Sequence, residues 1–322
     1  MSIFMHFGII IASLAVLVWS ADRFVFGASG FARNLGISPL IIGLTIVAMG
    51  SSAPEMMAAA QASLQNGTPD IGVGNAIGSN ITNILFVIGL TALIKPIVVG
   101  SSTVKQEIPM VLIASVIGAY FLLNGELTKK EGVILLIAFF ATITFLTLNA
   151  LRHSRLGDDK ETLKDIESEV PDKMPLYKSV LWLIVGLVFL VLSAKYLVIS
   201  AKVIALHFGL SELVIGLTVI AIGTSLPELA ASITAVLKGE DDLAIGNIIG
   251  SNIFNIFAVM SIPAILTPGL IQANRDTLVM IAATLLLLAV AVIGKKRSIN
   301  RIEGGILFAG FISYQVFVFV SS

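Results

Sequence analysis

Two stretches of this chain occur twice, and any fold must accommodate both copies. Gly43 to Glu55, reading Gly-Leu-Thr-Ile-Val-Ala-Met-Gly-Ser-Ser-Ala-Pro-Glu, returns as Gly216 to Glu228, Gly-Leu-Thr-Val-Ile-Ala-Ile-Gly-Thr-Ser-Leu-Pro-Glu. Downstream, Gly74 to Asn83 (Gly-Asn-Ala-Ile-Gly-Ser-Asn-Ile-Thr-Asn) returns as Gly246 to Asn255 (Gly-Asn-Ile-Ile-Gly-Ser-Asn-Ile-Phe-Asn). The offsets are 173 and 172 positions, so the connection between the motifs, Gln65 to Pro69 in one copy and Lys238 to Asp241 in the other, differs by a single residue. Self-similarity at this scale means two like structural units.

The surroundings say where those units reside. Of the 322 residues 57% are hydrophobic and 12% charged, with a mean hydropathy of +0.99, whereas soluble domains carry about a quarter charged residues. Apolar runs long enough to cross a bilayer, about 20 residues, fall near 3–26, 38–64, 70–94, 104–123, 131–151, 179–200, 211–237, 243–266, 277–294 and 303–320. The first lacks a basic segment before it and a small-residue cleavage site after it, and reads as a retained span. The expected fold is an all-α membrane protein of ten transmembrane helices. Its first five-helix repeat occupies 1–151, a linker 152–178, and the second repeat 179–322. Five is odd, so the second copy enters the membrane in the opposite sense. Inverted repeats with helices interrupted in corresponding places mark a transport site at the repeat interface.

The linker holds thirteen charges of mixed sign with Pro171 and Pro175. Loops on its side of a ten-span topology carry fifteen of the twenty Lys and Arg residues and the opposite side five. Basic loops are retained in the cytoplasm, so the expectation is a cell (inner) membrane protein with a cytoplasmic linker and both termini outside.

Among the acids, only Glu55 and Glu228 fall at the centre of a predicted span, each directly after a proline. A carboxylate at that depth is costly and faces a partner, a cavity or an ion. Pro54 and Pro227 remove an N–H and clash with the carbonyl four residues back, so each helix should break beside its acid. Ser51 and Thr224 precede the glutamates by four residues, a helical spacing that would bring hydroxyl and carboxylate to one face. Ser52 and Ser225 flank them. The second motif adds Ser79 with Asn83 and Ser251 with Asn255, also four apart, and its glycines (Gly74, Gly78; Gly246, Gly250) form the small-xxx-small pattern of close helix approach. Against these stand blander roles. Thr45, Thr218, Ser63 and Ser232 read as hydroxyls bonded one turn back, and Asn75 and Asn247 either cap helix starts or serve the site. Ser20, Asp22, Arg23, Ser193, Lys195 and Ser200 are either interfacial ends of the first and sixth spans or the lining of a polar path.

Two carboxylates among hydroxyl and amide oxygens describe a hard-cation site, suited to calcium. The chain has no cysteine and three dispersed histidines, His6, His153 and His207, which argues against thiolate or imidazole metal centres. Zero formal net charge argues against a nucleic-acid partner. A divalent ion neutralises both acids, and sodium ions or protons can supply the same compensation.

The Gly-Ser-Ser-Ala-Pro-Glu and Gly-Thr-Ser-Leu-Pro-Glu motifs, each followed by Gly-Ser-Asn-x-x-Asn, resemble the two alpha repeats of the sodium/calcium exchanger family, within the calcium/cation antiporter superfamily. The resemblance spans both halves. It implies secondary active antiport of sodium and calcium ions across the bilayer, no enzyme activity and no cofactor, in a protein functional as a monomer. The second, third, seventh and eighth helices would form the ion core, and the first and sixth a sliding gate. Carried over by position, Glu55 and Glu228 would bind calcium with backbone carbonyls at Ser51 and Thr224. Sodium would share the glutamates, the Ser51, Ser52, Thr224 and Ser225 region, carbonyls at Ala48 and Ala221, and the hydroxyls of Ser79 and Ser251. Asn255 stands where some relatives, including the potassium-dependent branch, carry aspartate, and Ser51 where threonine is common. The large regulatory loop of the animal exchangers is replaced by the 27-residue linker, so cytosolic calcium regulation is not expected.

Proton/calcium antiport on the same acids is the alternative. An intramembrane aspartyl-type protease would use two buried acids without flanking hydroxyls, and a cation channel would show no counter-ion dependence.

Overall fold

The computed structural model describes residues 3–67, 69–100, 103–156, 174–209, 221–293 and 298–321. Twelve helical segments run through them: α1 (Ile3–Leu35), α2 (Pro39–Ser51), α3 (Ala53–Asn66), α4 (Asp70–Ile94), α5 (Thr103–Leu122), α6 (Lys129–Leu156), α7 (Leu176–His207), α8 (Ala221–Thr224), α9 (Leu226–Leu237), α10 (Asp241–Leu266), α11 (Asn274–Ile293) and α12 (Arg301–Ser321). Among the described residues eight helices are long and apolar enough to span a membrane, and α2 with α3, bent by 40°, supplies a ninth. The short apolar helix α9 covers the second part of the expected seventh span. Most of the first part, 210–220, lies outside the described residues, as does 157–173 of the expected linker.

The outer helices α1 and α7 exceed their expected lengths. Their 33 and 32 residues reach about 50 Å at about 1.5 Å per residue, well beyond a hydrocarbon layer of about 30 Å. Asp22 and Arg23, which hydropathy reads as the end of the first span, lie inside α1. Asp22 pairs with Lys238 at 2.7 Å, and the Arg23 guanidinium sits 5.1 Å from the Trp182 ring centre. The two helices lie against each other because their contact surface is small: a side chain on Gly186 would begin 2.5 Å from the backbone nitrogen of Phe24, and Gly27 abuts the backbone of Leu183. Trp19 meets Trp182 and Phe189 edge-on beside this contact. Ser20 and Ser193 are buried and bond the carbonyls of Leu17 and Leu190 at 3.0 and 2.9 Å, so neither opens a polar path.

The centre belongs to α4 and α10, which are largely buried, whereas the other spanning helices leave most of their apolar residues at the surface. Two short antiparallel ladders join the halves of the chain: β1 (Ile97–Val98) with β4 (Ser298–Ile299), and β2 (Glu126–Leu127) with β3 (Gly269–Leu270). After β2 and β4 the following helices start the same way. Thr128 and Glu131 exchange backbone-to-side-chain hydrogen bonds at 2.7 and 3.3 Å, and Asn300 and Glu303 do so at 2.7 and 3.1 Å, the reciprocal cap that satisfies a helix's first free N–H groups.

Candidate ion site

The two Pro-Glu motifs break their helices in the same way. After α2 ends at Ser51, Ser52 leaves helical geometry (φ −85°, ψ 5°) and α3 begins at Ala53. After α8 ends at Thr224, Ser225 does the same (φ −89°, ψ 5°) and α9 begins at Leu226. Pro54 and Pro227 thus occupy first turns, where a missing N–H costs nothing. Glu55 and Glu228 fall in those first turns too, where the positive end of the helix dipole favours an anion by about 0.3–1 kcal/mol, or about 2 when partly buried. Both side chains are 1% exposed, and they repel each other electrostatically.

The break redirects Ser51. The expected i,i+4 approach to Glu55 presumes a continuous helix, and the interruption at Ser52 removes it. The Ser51 hydroxyl reaches across to the second half instead, donating to Asn247 Oδ1 at 3.0 Å and lying 3.4 Å from Ser251 Oγ. Ser52 donates to Glu228 Oε1 at 3.3 Å. Residues of both repeats therefore meet at one acid.

What permits this is the contact of α2 with α10. A side chain on Gly43 would begin 2.7 Å from Leu243 O and 2.9 Å from Asn247 N, and one on Gly246 3.0 Å from Leu44 N. Gly250 abuts Leu44 and Ala48, so the second copy of the small-residue pattern makes the expected close approach. Around Gly74 and Gly78 no described residue comes within 4 Å of that position.

The remaining expected ligands are on the same helices. Ser79 and Asn83 (α4), Ser225 (the second break) and Asn255 (α10) are buried. Ala48 O accepts from Ser52 N at 3.0 Å and from Ser51 Oγ at 3.4 Å, while Ala221 and Thr224 bound α8. Asn83 and Asn255 each open a π-helical turn, Asn83–Ile88 and Asn255–Val259. Such turns are rare and frequent at functional sites. Apolar periodicity carries no sign of them, though their recurrence at equivalent asparagines mirrors the sequence repeat.

Among the described residues, five buried oxygens here have no hydrogen-bond partner: Glu55 Oε2, Glu228 Oε2, Asn83 Oδ1, Asn255 Oδ1 and Ser225 Oγ. Each unsatisfied group costs about 1–3 kcal/mol. Among the described residues no group of three or more His, Cys, Asp or Glu converges. Two acids with neutral oxygens remain, and that set fits a hard cation taking about six to eight oxygens.

Of the residues given local roles, Thr45 and Ser63 do bond one turn back, to Ile41 O at 2.6 Å and Ala59 O at 2.9 Å; Thr218 lies outside the described residues. Asn75 and Asn247 stand inside α4 and α10 and cap neither. Asn75 donates to Glu55 O at 3.2 Å, and Asn247 donates to Ser232 Oγ at 3.2 Å.

The family model described as sodium/calcium exchanger protein matches residues 5–148 and 178–320. A protein named CaxA from Alkalimonas amylolytica is 54% identical, over 97% of this chain and 98% of the relative. The inner membrane protein YrbG of Escherichia coli is 40% identical over 97% and 96%. A solved structure of the sodium-calcium exchanger NCX_Mj, soaked with sodium and strontium, superposes with a TM-score of 0.82 at 32% identity, covering 97% of this chain and 98% of that one.

Proposed function

Because this chain belongs to the sodium/calcium exchanger family, we propose that it exchanges sodium for calcium by alternating access at Glu55 and Glu228. It is a multi-pass membrane cation antiporter and not an enzyme. The observation that carries the finer reading is the pair of buried glutamates, each at a proline-broken helix start, with unspent oxygens around them. One calcium ion balances two carboxylates. Once it leaves, the charges must be compensated again before the site can cross the membrane interior, and sodium ions do this. Exchange follows because the occupants are mutually exclusive.

Calcium is held by Glu55 and Glu228 with carbonyls at Ser51 and Thr224. Sodium uses the glutamates with Ser51, Ser52, Thr224, Ser225, Ser79, Ser251 and the carbonyls of Ala48 and Ala221, and Asn83 and Asn255 complete the shell. The hydroxyl-rich surroundings support sodium, since a proton needs no coordination sphere.

The architecture that serves this is ten helices in two inverted repeats, 1–151 and 179–322, joined by the linker 152–178. Several pairs of features support the inversion. The breaks at Ser52 and Ser225 match, as do the π turns at Asn83 and Asn255. The β1–β4 and β2–β3 ladders interchange under it. The fifteen-to-five distribution of basic residues supports a cytoplasmic linker and external termini, and the site within one chain supports a functional monomer.

The test is calcium uptake into proteoliposomes under an imposed sodium gradient, compared with an imposed pH gradient. Sodium-driven uptake is expected; uptake driven by the pH gradient alone would replace this reading with proton/calcium antiport.

A further inference from the structure

We propose that Asn247, held by Ser232, is a positioning residue that decides which way the Ser51 hydroxyl faces and thereby sets the affinity of the site for its cation. This rests on the reading of Ser51 as part of the ion site. A hydroxyl has one proton to donate and two lone pairs to offer. The proton of Ser51 has three acceptors within hydrogen-bond distance, Asn247 Oδ1 at 3.0 Å, Ala48 O at 3.4 Å and Ser251 Oγ at 3.4 Å, and the Glu228 carboxylate, which accepts from the adjacent Ser52 at 3.3 Å, competes with them in the same cluster. The choice matters. Given to Glu228, the proton occupies a carboxylate lone pair that a cation needs. Given to Asn247, it leaves both the carboxylate and the hydroxyl lone pairs available.

A charged acceptor makes the stronger hydrogen bond, so Ser51 left to itself would turn toward Glu228. Asn247 competes through proximity and orientation. Its amide is anchored at the far end, where Nδ2 donates to Ser232 Oγ at 3.2 Å, and that anchor turns Oδ1 toward Ser51. Without it the amide is free to rotate by half a turn and present its NH2 group to Ser51, which would then accept from Asn247 and donate to Glu228. Ser51, Asn247 and Ser232 are 0%, 1% and 0% exposed, so bulk water does not substitute for a lost partner.

The device belongs to one half of the site. The repeat position of Ser232 is Ala59, which has no hydroxyl, and Asn75, the counterpart of Asn247, donates to the backbone carbonyl of Glu55. Ser232 therefore acts at second remove, through Asn247 and then Ser51.

Equilibrium binding of radioactive calcium to the purified full-length protein tests this. Ser232→Ala should weaken calcium binding about three- to tenfold, the range of one net hydrogen bond. Ser232→Thr, which keeps the hydroxyl, should restore near wild-type affinity. In proteoliposomes the alanine variant should show a raised half-saturating calcium concentration with an unchanged maximal rate, a split that general loosening of the helices would not produce. In a Ser51→Ala background Ser232→Ala should have no further effect, since the coupling between the two sites is the whole of the proposed action. Additive losses in the double variant, or wild-type binding by Ser232→Ala while Ser51→Ala binds weakly, would overturn the inference and leave Ser51 in the site. Wild-type binding by Ser51→Ala would remove Ser51 from the site and the inference with it.

Discussion

Gly43→Ala probes the contact on which the site depends. The new Cβ would stand 2.7 Å from Leu243 O and 2.9 Å from Asn247 N, and the obstacles are backbone atoms of α10, which cannot swing aside. Ordinary van der Waals contact begins near 3.4 Å, so α2 and α10 must separate locally by at least about 0.7 Å. The same displacement carried to Ser51 and Asn247 stretches their 3.0 Å hydrogen bond to about 3.7 Å, beyond useful length. Overpacking of this kind costs about 1–3 kcal/mol, against a gain of about 0.5–1 kcal/mol from replacing glycine by alanine within a helix. The expected result is a protein that melts lower in detergent and binds calcium at least about tenfold more weakly, because a misplaced hydroxyl is added to a strained interface. Gly8→Ala is the control: that position on α1 is exposed, with nothing within 4 Å of the added carbon, so the variant should melt no lower than the wild type and bind calcium equally well. If Gly43→Ala matched the wild type in both melting and calcium affinity, the claim that backbone contact of α2 with α10 assembles the site would be refuted.

Glu55→Gln and Glu228→Gln should each leave the folded protein intact but weaken calcium binding by about two to three and a half orders of magnitude, since removing one partner of a buried charge arrangement costs about 3–5 kcal/mol; normal flux by either reconstituted variant would break the shared site. Asn255 contributes no charge where some relatives carry an acid, so sodium-driven calcium flux should proceed without potassium, and a protein silent until potassium is added would contradict that. For orientation, Ser322→Cys in this cysteine-free chain should react with an impermeant thiol reagent in intact cells, and labelling only after permeabilisation would invert the topology.

How legible all this was in the sequence depended on how local each cause is. A proline and a glutamate inside an apolar run admit few explanations, so the breaks at Ser52 and Ser225 and the burial of both acids could be anticipated from Pro54-Glu55 and Pro227-Glu228 alone. The length of α1 could not. Hydropathy reads Asp22 as the end of a span, whereas its charge is compensated by Lys238, more than two hundred residues away. Ser51 was misdirected by spacing, because a four-residue interval has its helical meaning only while the helix continues. Asn247 and Ser232 were undervalued for a related reason: each looks ordinary beside its own neighbours, and their bearing on Ser51 exists only once α2 lies against α10. The π turns left no trace in periodicity.

The two small ladders impose an order on how the protein is made. Ile97 pairs with Ile299 and Glu126 with Leu270, separations of 202 and 144 residues. At about 5–20 residues per second of synthesis, β1 waits about 10 to 40 seconds for its partner, and the wait for β2 is about 7 to 29 seconds. Throughout that interval the helices of the first half, α1 to α6, leave the ribosome with strand edges unpaired, with α1 lacking α7, and with Ser51 lacking the hydroxyl and amide partners that α10 brings. The amino-terminal half is therefore an assembly intermediate rather than an independent module. A message truncated within the linker would yield a membrane-inserted remnant carrying exposed backbone donors and an uncompensated acid, the kind of surface that quality-control proteases recognise.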